Sequence, residues 1–442
     1  MQKDIIFIKS FFEQLEAQEI RYCILRKYKE IFHGNLHDVD MTVDFKKLPS
    51  VLRILKELSA VQGWELFLST TKDNGNLYAC HYYLTDGLEV FIVHLDLFRN
   101  FSWNGIPLLK NEDLLRGSIK KEGIRVCSYG VEAVTKLFSR FLYQGHVKEE
   151  YKEEITGLFR NSYSETMLLM GLFLNKELAH RIGSFVLTEN WEALESLRPL
   201  VRENILHSRK RIRRLLGRIK AHAFRAGRYL RHKGVMVAFL GTDGSGKSSI
   251  INCLPEVLER SFNQTQIRYY HWRPRLLSGK KRDKQVSSSG MDPHGKKPYG
   301  RILSLMKFLY FNLDYILGYW LSVKLSLGKN QLVVFDRYYY DYLLDQYRYR
   351  LKLNEHIIRW FSHLIPKPDI TFLLVGDPGI LYQRKKELPY QEVEQQVNRL
   401  LQKKELFPNS RVIDVNGELK ESVFNVAKYI LDYMKVREDK NG

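Results

Sequence analysis

Hydrophobic and polar residues follow two different periods along the first 100 residues. Short apolar runs at Tyr22–Leu25, Val39–Val43 and Glu89–Leu95 have the length of strands. Apolar residues at every third or fourth position predict helices at Ile5–Ala17 and Val51–Leu58. The pattern therefore predicts a mixed α+β domain at residues 1–130.

The next 100 residues have helical spacing and then become strongly basic. Residues 131–207 are rich in apolar positions at helical intervals, which predicts a helical region. From Arg209 to Lys233 the chain carries eleven Lys or Arg residues and no acidic residue, with its apolar residues on one helical face. We expect a basic amphipathic linker helix at residues 208–233.

From residue 234 onward, short apolar runs alternate with longer helical stretches. The runs Val235–Leu240, Leu332–Asp336 and Ile370–Val375 have the length of buried strands. Alternating strands and helices build a parallel sheet with helices on both faces. We therefore expect an α/β domain at residues 234–442.

The most apolar helical window of the chain is Phe308 to Val323. It spans about 16 residues, whereas a membrane span needs ~20 apolar residues. It also contains Asn312 and Asp314. The pattern predicts a buried helix.

Composition indicates a folded protein with an anionic partner. Of the 442 residues, 44% are hydrophobic, which supplies a large core. The net charge of +20 predicts phosphorylated substrates, an acidic membrane surface or nucleic acid as partner, without choosing among them. Cys23, Cys80, Cys127 and Cys253 lack metal-ligand spacing and indicate reduced thiols in a cytoplasmic protein. The first residues lack the apolar core of a signal peptide.

The sequence GTDGSGKS, from Gly241 to Ser248, fits the phosphate-binding pattern G-x-x-x-x-G-K-[ST]. It follows a predicted strand and precedes a predicted helix at Ser249–Leu258. Glycines let backbone N–H groups turn toward an anion, and the helix N-terminus adds partial positive charge. We expect Lys247 to reach the β- and γ-phosphates and Ser248 to complete the Mg²⁺ shell. The predicted nucleotide contacts are Gly241, Asp243, Gly244, Ser245, Gly246, Lys247, Ser248 and Ser249.

The predicted strand that ends at Asp336 is followed by Arg337, and this pair is expected to complete the site. Ligands of open α/β sheets bind at the carboxyl ends of strands. Asp336 can hold Mg²⁺ or orient the acceptor oxygen, and Arg337 can bind an acceptor phosphate through two hydrogen bonds. A third strand leads through GDPG to Arg384, which we expect to act in a basic lid.

Residues 234–435 resemble the thymidylate kinase branch of the P-loop nucleoside monophosphate kinases. The resemblance lies in GTDGSGKSS, DRYYYD, PDITFLLVGDPGILYQRKKE and VIDVNG. It implies a P-loop kinase fold, ATP and Mg²⁺ as cofactors, and transfer of the γ-phosphate to a phosphorylated acceptor. It also implies catalytic roles for Lys247, Asp336, Arg337 and Arg384, and acceptor contacts for Arg273, Arg337 and Tyr338.

Two stretches depart from that family. Residues 276–330 begin with a basic run, rich in Ser and Gly, that ordinary thymidylate kinases lack, and we expect a flexible loop there. After Arg337 the sequence YYYDYLLDQYRYR has no small hydroxyl residue. The acceptor is therefore left open between a nucleoside monophosphate and a larger phosphorylated or sugar-bearing molecule.

Acidic residues recur on two predicted strands near the N-terminus. Asp38 and Asp40 share one face of a strand, and Asp96 follows a later strand. Three carboxylates on adjacent strands could hold two Mg²⁺ for nucleotidyl transfer. Residues 20–100 resemble the nucleotidyltransferase superfamily in this arrangement, although Ile24-Leu25-Arg26-Lys27 replaces the superfamily's Gly-Ser pair.

Three interpretations of this first domain stay open: an active nucleotidyltransferase, a degenerate substrate-binding version, or unrelated α/β structure. The segment at 209–233 also has three: an inter-domain connector, a contact with an anionic membrane surface, or a contact with nucleic acid phosphates. Because no nucleic-acid-binding motif is present, we expect no such partner. Membrane attachment and oligomerisation are left open.

The sequence supports three functional hypotheses. The first is a thymidylate kinase-like phosphotransferase with an accessory N-terminal domain. The second is a bifunctional kinase and nucleotidyltransferase that acts on a sugar or lipid-linked acceptor in surface-polymer assembly. The third is a non-catalytic switch that binds ATP.

Overall fold

The computed structural model describes residues 3–33, 38–207, 223, 226–227, 229–262, 267–277 and 297–440. It forms two compact units. The first comprises residues 1–84, 91–225 and 435–442, and the second comprises residues 85–90 and 226–434. The boundaries that the sequence suggests at residues 130, 207 and 233 stay predictions. Most of the predicted basic helix, and most of the predicted loop after Leu276, lie outside the described residues.

The first unit contains a mixed sheet of seven strands in the spatial order β3-β4-β5-β2-β1-β9-β8. A separate pair, β6 and β7, forms a two-stranded ribbon. The strands are β1 (Tyr22–Ile24), β2 (Val39–Val43), β3 (Glu65–Lys72), β4 (Leu77–Asp86), β5 (Glu89–Phe98), β6 (Phe101–Trp103), β7 (Ile106–Leu109), β8 (Ile119–Lys121) and β9 (Ile124–Val126). The strands predicted from alternation at 22–25, 39–43 and 89–95 are therefore confirmed.

Ten helices accompany this sheet among the described residues. They are α1 (Lys3–Ala17), α2 (Tyr28–His33), α3 (Leu48–Gln62), α4 (Asn111–Leu115), α5 (Tyr129–Phe138), α6 (Glu149–Asn161), α7 (Tyr163–Met170), α8 (Lys176–Leu187), α9 (Trp191–Ser196) and α10 (Arg198–His207). The helices predicted at 5–17, at 51–58 and across 131–207 are confirmed.

Two apolar cores lie in the first unit, and strand β1 contributes to both. Tyr22 and Ile24 join the core that α1 and α3 share with the sheet, which also buries Met41 of β2. Cys23 and Leu25 point the other way and join the core of the helices α5 to α10. Val39 and Met41 of β2 belong to the α1–α3 core, and Asp40 between them points to the opposite face of the sheet.

The second unit has a parallel sheet of five strands in the order β11-β12-β10-β13-β14. The strands are β10 (Val235–Gly241), β11 (Ile267–His271), β12 (Leu332–Asp336), β13 (Ile370–Val375) and β14 (Ser410–Asp414). β10 is central and fully buried, as its unbroken apolar sequence predicts. The predicted parallel α/β sheet is confirmed.

The helices of the second unit are α11 (Lys247–Phe262), α12 (Arg301–Gly318), α13 (Lys324–Leu327), α14 (Glu355–Ser362), α15 (Pro378–Arg384), α16 (Tyr390–Gln402) and α17 (Leu419–Asp439). A π-helical turn, Tyr319–Val323, joins α12 to α13.

The prediction of a buried helix at 308–323 is only half right. Phe308, Phe311 and Tyr315 face the core, whereas Leu313 and Trp320 on other faces are about half exposed. The helix is apolar around most of its circumference, so periodicity alone could not tell the inner face from the outer one.

No helix in the described part of the chain is long and apolar enough to cross a membrane. The four cysteines are free thiols. Cys23, Cys80 and Cys127 are buried, and burial raises the pKa of the Cys23 thiol to about 12.

Candidate active site

The loop between β10 and α11 has the backbone of a phosphate-binding loop. Gly244 has φ +83° and Gly246 has φ +76°, a region that only glycine adopts without strain. A Cβ atom on Gly244 would also collide with the carbonyl oxygen of Leu381 on α15. The loop therefore requires glycine at Gly244 both for its turn and for close packing against α15.

Lys247 is the first residue of α11, and its side chain folds back over the loop. Its Nζ donates to the carbonyl oxygens of Gly241 (2.8 Å) and Thr242 (2.7 Å) and to Ser245 Oγ (3.2 Å). Burial and the nearby positive charge of Arg337 lower the pKa of Lys247 to about 8. A bound polyphosphate would stabilise the charged form of this buried lysine, so the position suits an anionic ligand.

Asp336 ends β12 and lies opposite Phe239 of β10. The hydroxyl of Tyr269 donates to its Oδ2 (3.2 Å), and the Nδ1 atom of His271 lies 3.5 Å from the same oxygen. Burial acts to raise the pKa of Asp336, but His271, Lys247 and Arg337 outweigh it and lower the pKa to about 2. Asp336 is therefore a carboxylate at neutral pH.

The other oxygen of Asp336 fits a metal site. Oδ1 is buried and has no hydrogen-bond partner among the described residues. Such an atom costs free energy unless water or a cation satisfies it. Ser248, the next residue after Lys247, has an exposed position at the start of α11. The unpartnered oxygen of Asp336 fits the predicted metal role, and the roles of Ser248 and Asp336 in holding Mg²⁺, which would neutralise charge on bound phosphates, stay predictions.

Arg337 forms the centre of a buried ion-pair network. Its Nη1 donates to Asp341 (2.9 Å) and its Nη2 to Asp243 of the phosphate-binding loop (2.7 Å). Burial opposes its charge, yet Asp341 and Asp243 raise the pKa of Arg337 well above its ordinary value. Arg348 pairs with the other oxygen of Asp243. The network connects Arg337 and Arg348 directly to the loop between β10 and α11.

The backbone of Arg337 is itself unusual. Its φ is +67°, a left-handed conformation that costs a non-glycine residue free energy. Its amide donates to the carbonyl oxygen of Phe239 (3.0 Å), which ties this turn to β10. The turn aims the guanidinium back toward the loop rather than along the strand.

Helix α15, which ends at the predicted lid residue Arg384, packs against the loop. Arg384 ends α15 and its Nη1 donates to the carbonyl oxygen of Val415 (2.7 Å). Lys385 follows it, and the Cβ atom of Lys385 lies 3.4 Å from where a Cβ on Gly244 would be. Lys385 therefore approaches the phosphate-binding loop, while Arg384 supports the turn after β14.

Two predicted acceptor contacts are held in structural interactions. Tyr338 is 1% exposed and its hydroxyl donates to the carbonyl oxygen of Pro366 (2.6 Å), so it offers no surface to an acceptor. This corrects the prediction, because the tyrosine run made core and contact positions indistinguishable. Arg273 donates to the fully buried Asp314 (2.6 Å) and stacks over Phe311 (4.8 Å), with one-tenth of its side chain exposed.

A cluster of buried polar atoms lies beside Arg273. Trp272 packs against Tyr342 (6.0 Å between ring centroids) and stacks on Tyr349 (4.6 Å). Within the described ranges, four polar atoms here have no hydrogen-bond partner: Trp272 Nε1, Arg273 Nε, Asn312 Oδ1 and Tyr342 Oη. Native structures rarely leave such atoms unsatisfied, so ordered water or another polar group is expected to bond to them.

Sequence reasoning missed several residues of the site. Asp341 is four residues after Arg337, and that spacing is a signal that could have identified the pair. Tyr269 and His271 alternate along β11, so both point to the same side of the sheet as Asp336. Arg348 gave no signal, because its distance from Asp243 along the chain is 105 residues.

The structure brings together two of the three N-terminal carboxylates. Asp40 of β2 lies directly opposite Asp96 of β5. Each acid is paired with a base: Arg26 Nε lies 2.8 Å from Asp40, His94 Nε2 lies 3.0 Å from Asp96, and Lys27 lies 3.6 Å from Asp38. Across the described ranges, no group of three or more metal-binding side chains is arranged to hold a metal ion. The metal roles of Asp38, Asp40 and Asp96 stay predictions.

The same face of this sheet carries a histidine pair. The rings of His81 and His94 stack at 3.9 Å, and His81 is buried with its Nδ1 atom unpartnered in the described part of the chain. Burial and the neighbouring His94 hold the pKa of His81 well below its ordinary value.

The fold and this geometry define the second unit as a P-loop kinase domain. The thymidylate kinase family model matches residues 239–407. A relative from Pyrobaculum aerophilum, described as a probable thymidylate kinase, is 26% identical over 148 residues, which cover 34% of this chain and 68% of the relative. A solved thymidylate kinase from Ehrlichia chaffeensis covers 45% of this chain and 98% of its own, at 18% identity and a TM-score of 0.31.

The family and relative matches identify the protein as an enzyme of the P-loop kinase class, with a thymidylate kinase-like domain in its C-terminal part. They support a nucleotide kinase function, and they imply ATP as the phosphoryl donor, typically with Mg²⁺.

Proposed function

We propose that the protein transfers the γ-phosphate of ATP to a phosphorylated small molecule, with a nucleoside monophosphate as the first candidate. The observation that carries this proposal is the junction of Lys247, Asp243 and Arg337 at the carboxyl ends of β10 and β12. One buried network connects the loop proposed to bind the triphosphate with the guanidinium group of Arg337. In-line transfer requires two bound phosphates to be held next to each other in this way.

Each residue has a distinct role in this proposal. The loop amides and Lys247 hold the β- and γ-phosphates, and Ser248 and Asp336 bind the Mg²⁺. Arg337 binds the acceptor phosphate through the same fork that Asp341 and Asp243 now occupy. Lys385, with Arg384 behind it, adds positive charge where negative charge develops during transfer.

The acceptor's non-phosphate part is proposed to bind beside Trp272 and Arg273, whose side chains are partly exposed. They offer N–H donors, and Asn312 offers an acceptor oxygen. A pyrimidine ring, with carbonyl and N–H groups on one edge, satisfies this set, and a sugar with several hydroxyl groups also does. The partly exposed indole of Trp272 favours the flat ring, which can stack on it.

A panel of acceptors tests the proposal. ADP release from ATP and Mg²⁺ is measured with each nucleoside monophosphate and with sugar phosphates, using wild type and the variants Lys247→Ala and Asn312→Leu. We expect acceptor-dependent ADP release that Lys247→Ala abolishes and Asn312→Leu reduces through a higher KM. Turnover that no acceptor stimulates, together with tight ATP binding, would instead identify a non-catalytic switch.

A second candidate function concerns the first unit. Asp40 lies beside Asp96 on paired strands with Arg26 in reach, and this favours a nucleotide- or phosphate-binding face of nucleotidyltransferase type. Incubating the protein with each nucleoside triphosphate and a sugar phosphate, then measuring pyrophosphate, tests it. The bifunctional hypothesis predicts pyrophosphate release that Asp96→Asn removes and Lys247→Ala leaves unchanged; no release with any triphosphate rejects it.

A further inference from the structure

The outer face of α12 is apolar over most of its length. Its exposed side chains recur at helical spacing, with Ile302 at 79% exposure and Met306 at 63%. Leu309 and Leu313 continue the same stripe and are 43% and 49% exposed. Large apolar side chains in a row along one exposed helix face are unusual in a protein that has already buried its core.

The inner face of α12 is well packed, so the outer residues are not exposed because the helix lacks a core contact. Phe308, Phe311 and Tyr315 supply the inner face, and Phe308 packs edge to face on Phe361 of α14 at 5.4 Å. The helix is therefore fully anchored without its outer residues. The outer face needs a partner of its own.

Further large apolar side chains are exposed in the turn after α12 and on α14, the helix on which Phe308 packs. Trp320 and Leu321, in the turn after α12, are 51% and 59% exposed. On α14, Trp360 is 61% exposed. Tryptophan is enriched where a protein surface meets the headgroup region of a bilayer, because its ring is apolar and its N–H can bond to water or headgroups.

The charge around this surface has one sign. From residue 297 to residue 330 the sequence has five basic residues and a single acid, Asp314. Asp314, on the buried side of α12, is fully buried and bound to Arg273, so it contributes nothing to the exposed face. Arg301 and Lys329 are exposed at the two ends of the segment.

The basic segment at 209–233 ends next to this face. The hydroxyl of Tyr229 donates to the carbonyl oxygen of Trp320 (3.1 Å), and Lys324 Nζ lies 6.0 Å from the Tyr229 ring. The end of that segment, at Tyr229, therefore lies at the edge of the apolar surface.

We propose that the outer face of α12, with Trp320 and Trp360, binds the surface of an anionic phospholipid bilayer, the helix lying in the plane of the membrane. An apolar stripe flanked by cations and aromatic residues is the composition of surface-lying helices. A second copy of this chain could cover the apolar stripe, but it would set Arg301 and Lys329 against further cations. An anionic bilayer supplies both the apolar layer and the missing negative charge. This inference goes beyond the proposed kinase reaction.

Vesicle flotation with the full chain tests the proposal. Vesicles of phosphatidylcholine with about one-third phosphatidylglycerol are compared with pure phosphatidylcholine, at low and high salt. We expect binding to the anionic vesicles that weakens as salt rises. The double variant Leu309→Ser/Leu313→Ser should bind at least tenfold more weakly, and Arg301→Gln/Lys324→Gln about fivefold more weakly per charge.

A matched control distinguishes binding through the outer face of α12 from nonspecific binding by any exposed apolar side chain. Leu168→Ser/Leu172→Ser removes two leucines that are 64% and 55% exposed in the first unit, and it should leave flotation unchanged. ATP binding by all variants checks that the second unit is folded. Absence of flotation at low salt overturns the proposal. So does a concentration-dependent dimer, seen by ultracentrifugation, that Leu309→Ser/Leu313→Ser dissociates while flotation persists.

Discussion

At the scale of single residues, the candidate site depends on charged side chains that are buried away from water. Asp243 accepts from Arg337 and Arg348, and burial, which would raise its pKa, is outweighed by Arg337, Lys247 and Arg348, so its pKa lies well below the usual range. Asp243 is thus a permanent anion inside a phosphate-binding loop. It holds Arg337 and Arg348 in place, and under the proposed function this order would lower the entropy cost of binding an acceptor phosphate.

Lys247 gives a prediction about pH. Its pKa near 8 follows from burial and from the charge of Arg337. ATP binds more tightly when the Lys247 amine is protonated. Above the pKa of this amine, the protein must take up a proton in order to bind ATP, and its affinity for ATP therefore falls. We expect the Kd for ATP to be nearly constant below about pH 7.5 and about tenfold higher at pH 9. Calorimetric titration measures this, and Lys247→Arg, which stays charged, should show a flat profile.

Gly244 gives a prediction about packing. Its φ of +83° and its contact with Leu381 leave no room for a Cβ atom. We expect Gly244→Ala to lower the free energy of unfolding by about 1–3 kcal/mol and to weaken ATP binding. Gly157→Ala on α6 is the matched control, since nothing lies within 4 Å of its Cβ. That variant should be neutral or slightly stabilising in a urea denaturation; equal losses in both variants would contradict the account.

At the scale of elements, the position of the short helix α15 sets the shape of the nucleotide loop. The side chain of Asp377 accepts from the amides of Gly379 (2.8 Å) and Ile380 (3.1 Å) and so caps α15. Leu381 of that helix then contacts Gly244. A capping residue thus acts on a loop more than 100 residues earlier in the chain.

This arrangement makes a prediction for the cap. Asp377→Ala should cost about 1 kcal/mol of stability and also raise the KM for ATP, because α15 supports the loop. Asn190→Ala removes a similar cap on α9, where Asn190 accepts from the Ala193 amide at 3.1 Å. It should lower the Tm by a comparable amount without changing the KM. A KM that is unaffected by Asp377→Ala would show that α15 does not position the loop.

The positions of helices and strands could be predicted from the sequence better than the contacts between them. The strands β10, β12 and β13 and the phosphate-binding loop followed from apolar runs, glycine spacing and Lys247, because these constraints are local in sequence. The inner and outer faces of α12, the core position of Tyr338 and the pairing of Arg348 with Asp243 depend on packing between distant segments. Periodicity carries no information about such contacts.

At the scale of the whole molecule, the two units carry separate polar clusters. One joins Lys247, Asp336 and Arg337, and the other joins Arg26, Asp40 and Asp96. If the clusters act independently, Asp40→Asn should leave the kcat and KM of phosphoryl transfer within about twofold of wild type. A kinase rate that falls while the circular dichroism spectrum and Tm stay unchanged would show that the first unit contributes to the reaction.

The central claim is that the loop at 241–248 and the Asp336–Arg337 pair transfer a phosphoryl group. Transfer of label from γ-labelled ATP to the best acceptor of the panel tests it most directly, with wild type and Arg337→Gln compared under saturating ATP. We predict labelled acceptor with wild type and a loss of at least 100-fold in kcat/KM with Arg337→Gln. Equal label transfer by both proteins would contradict the account.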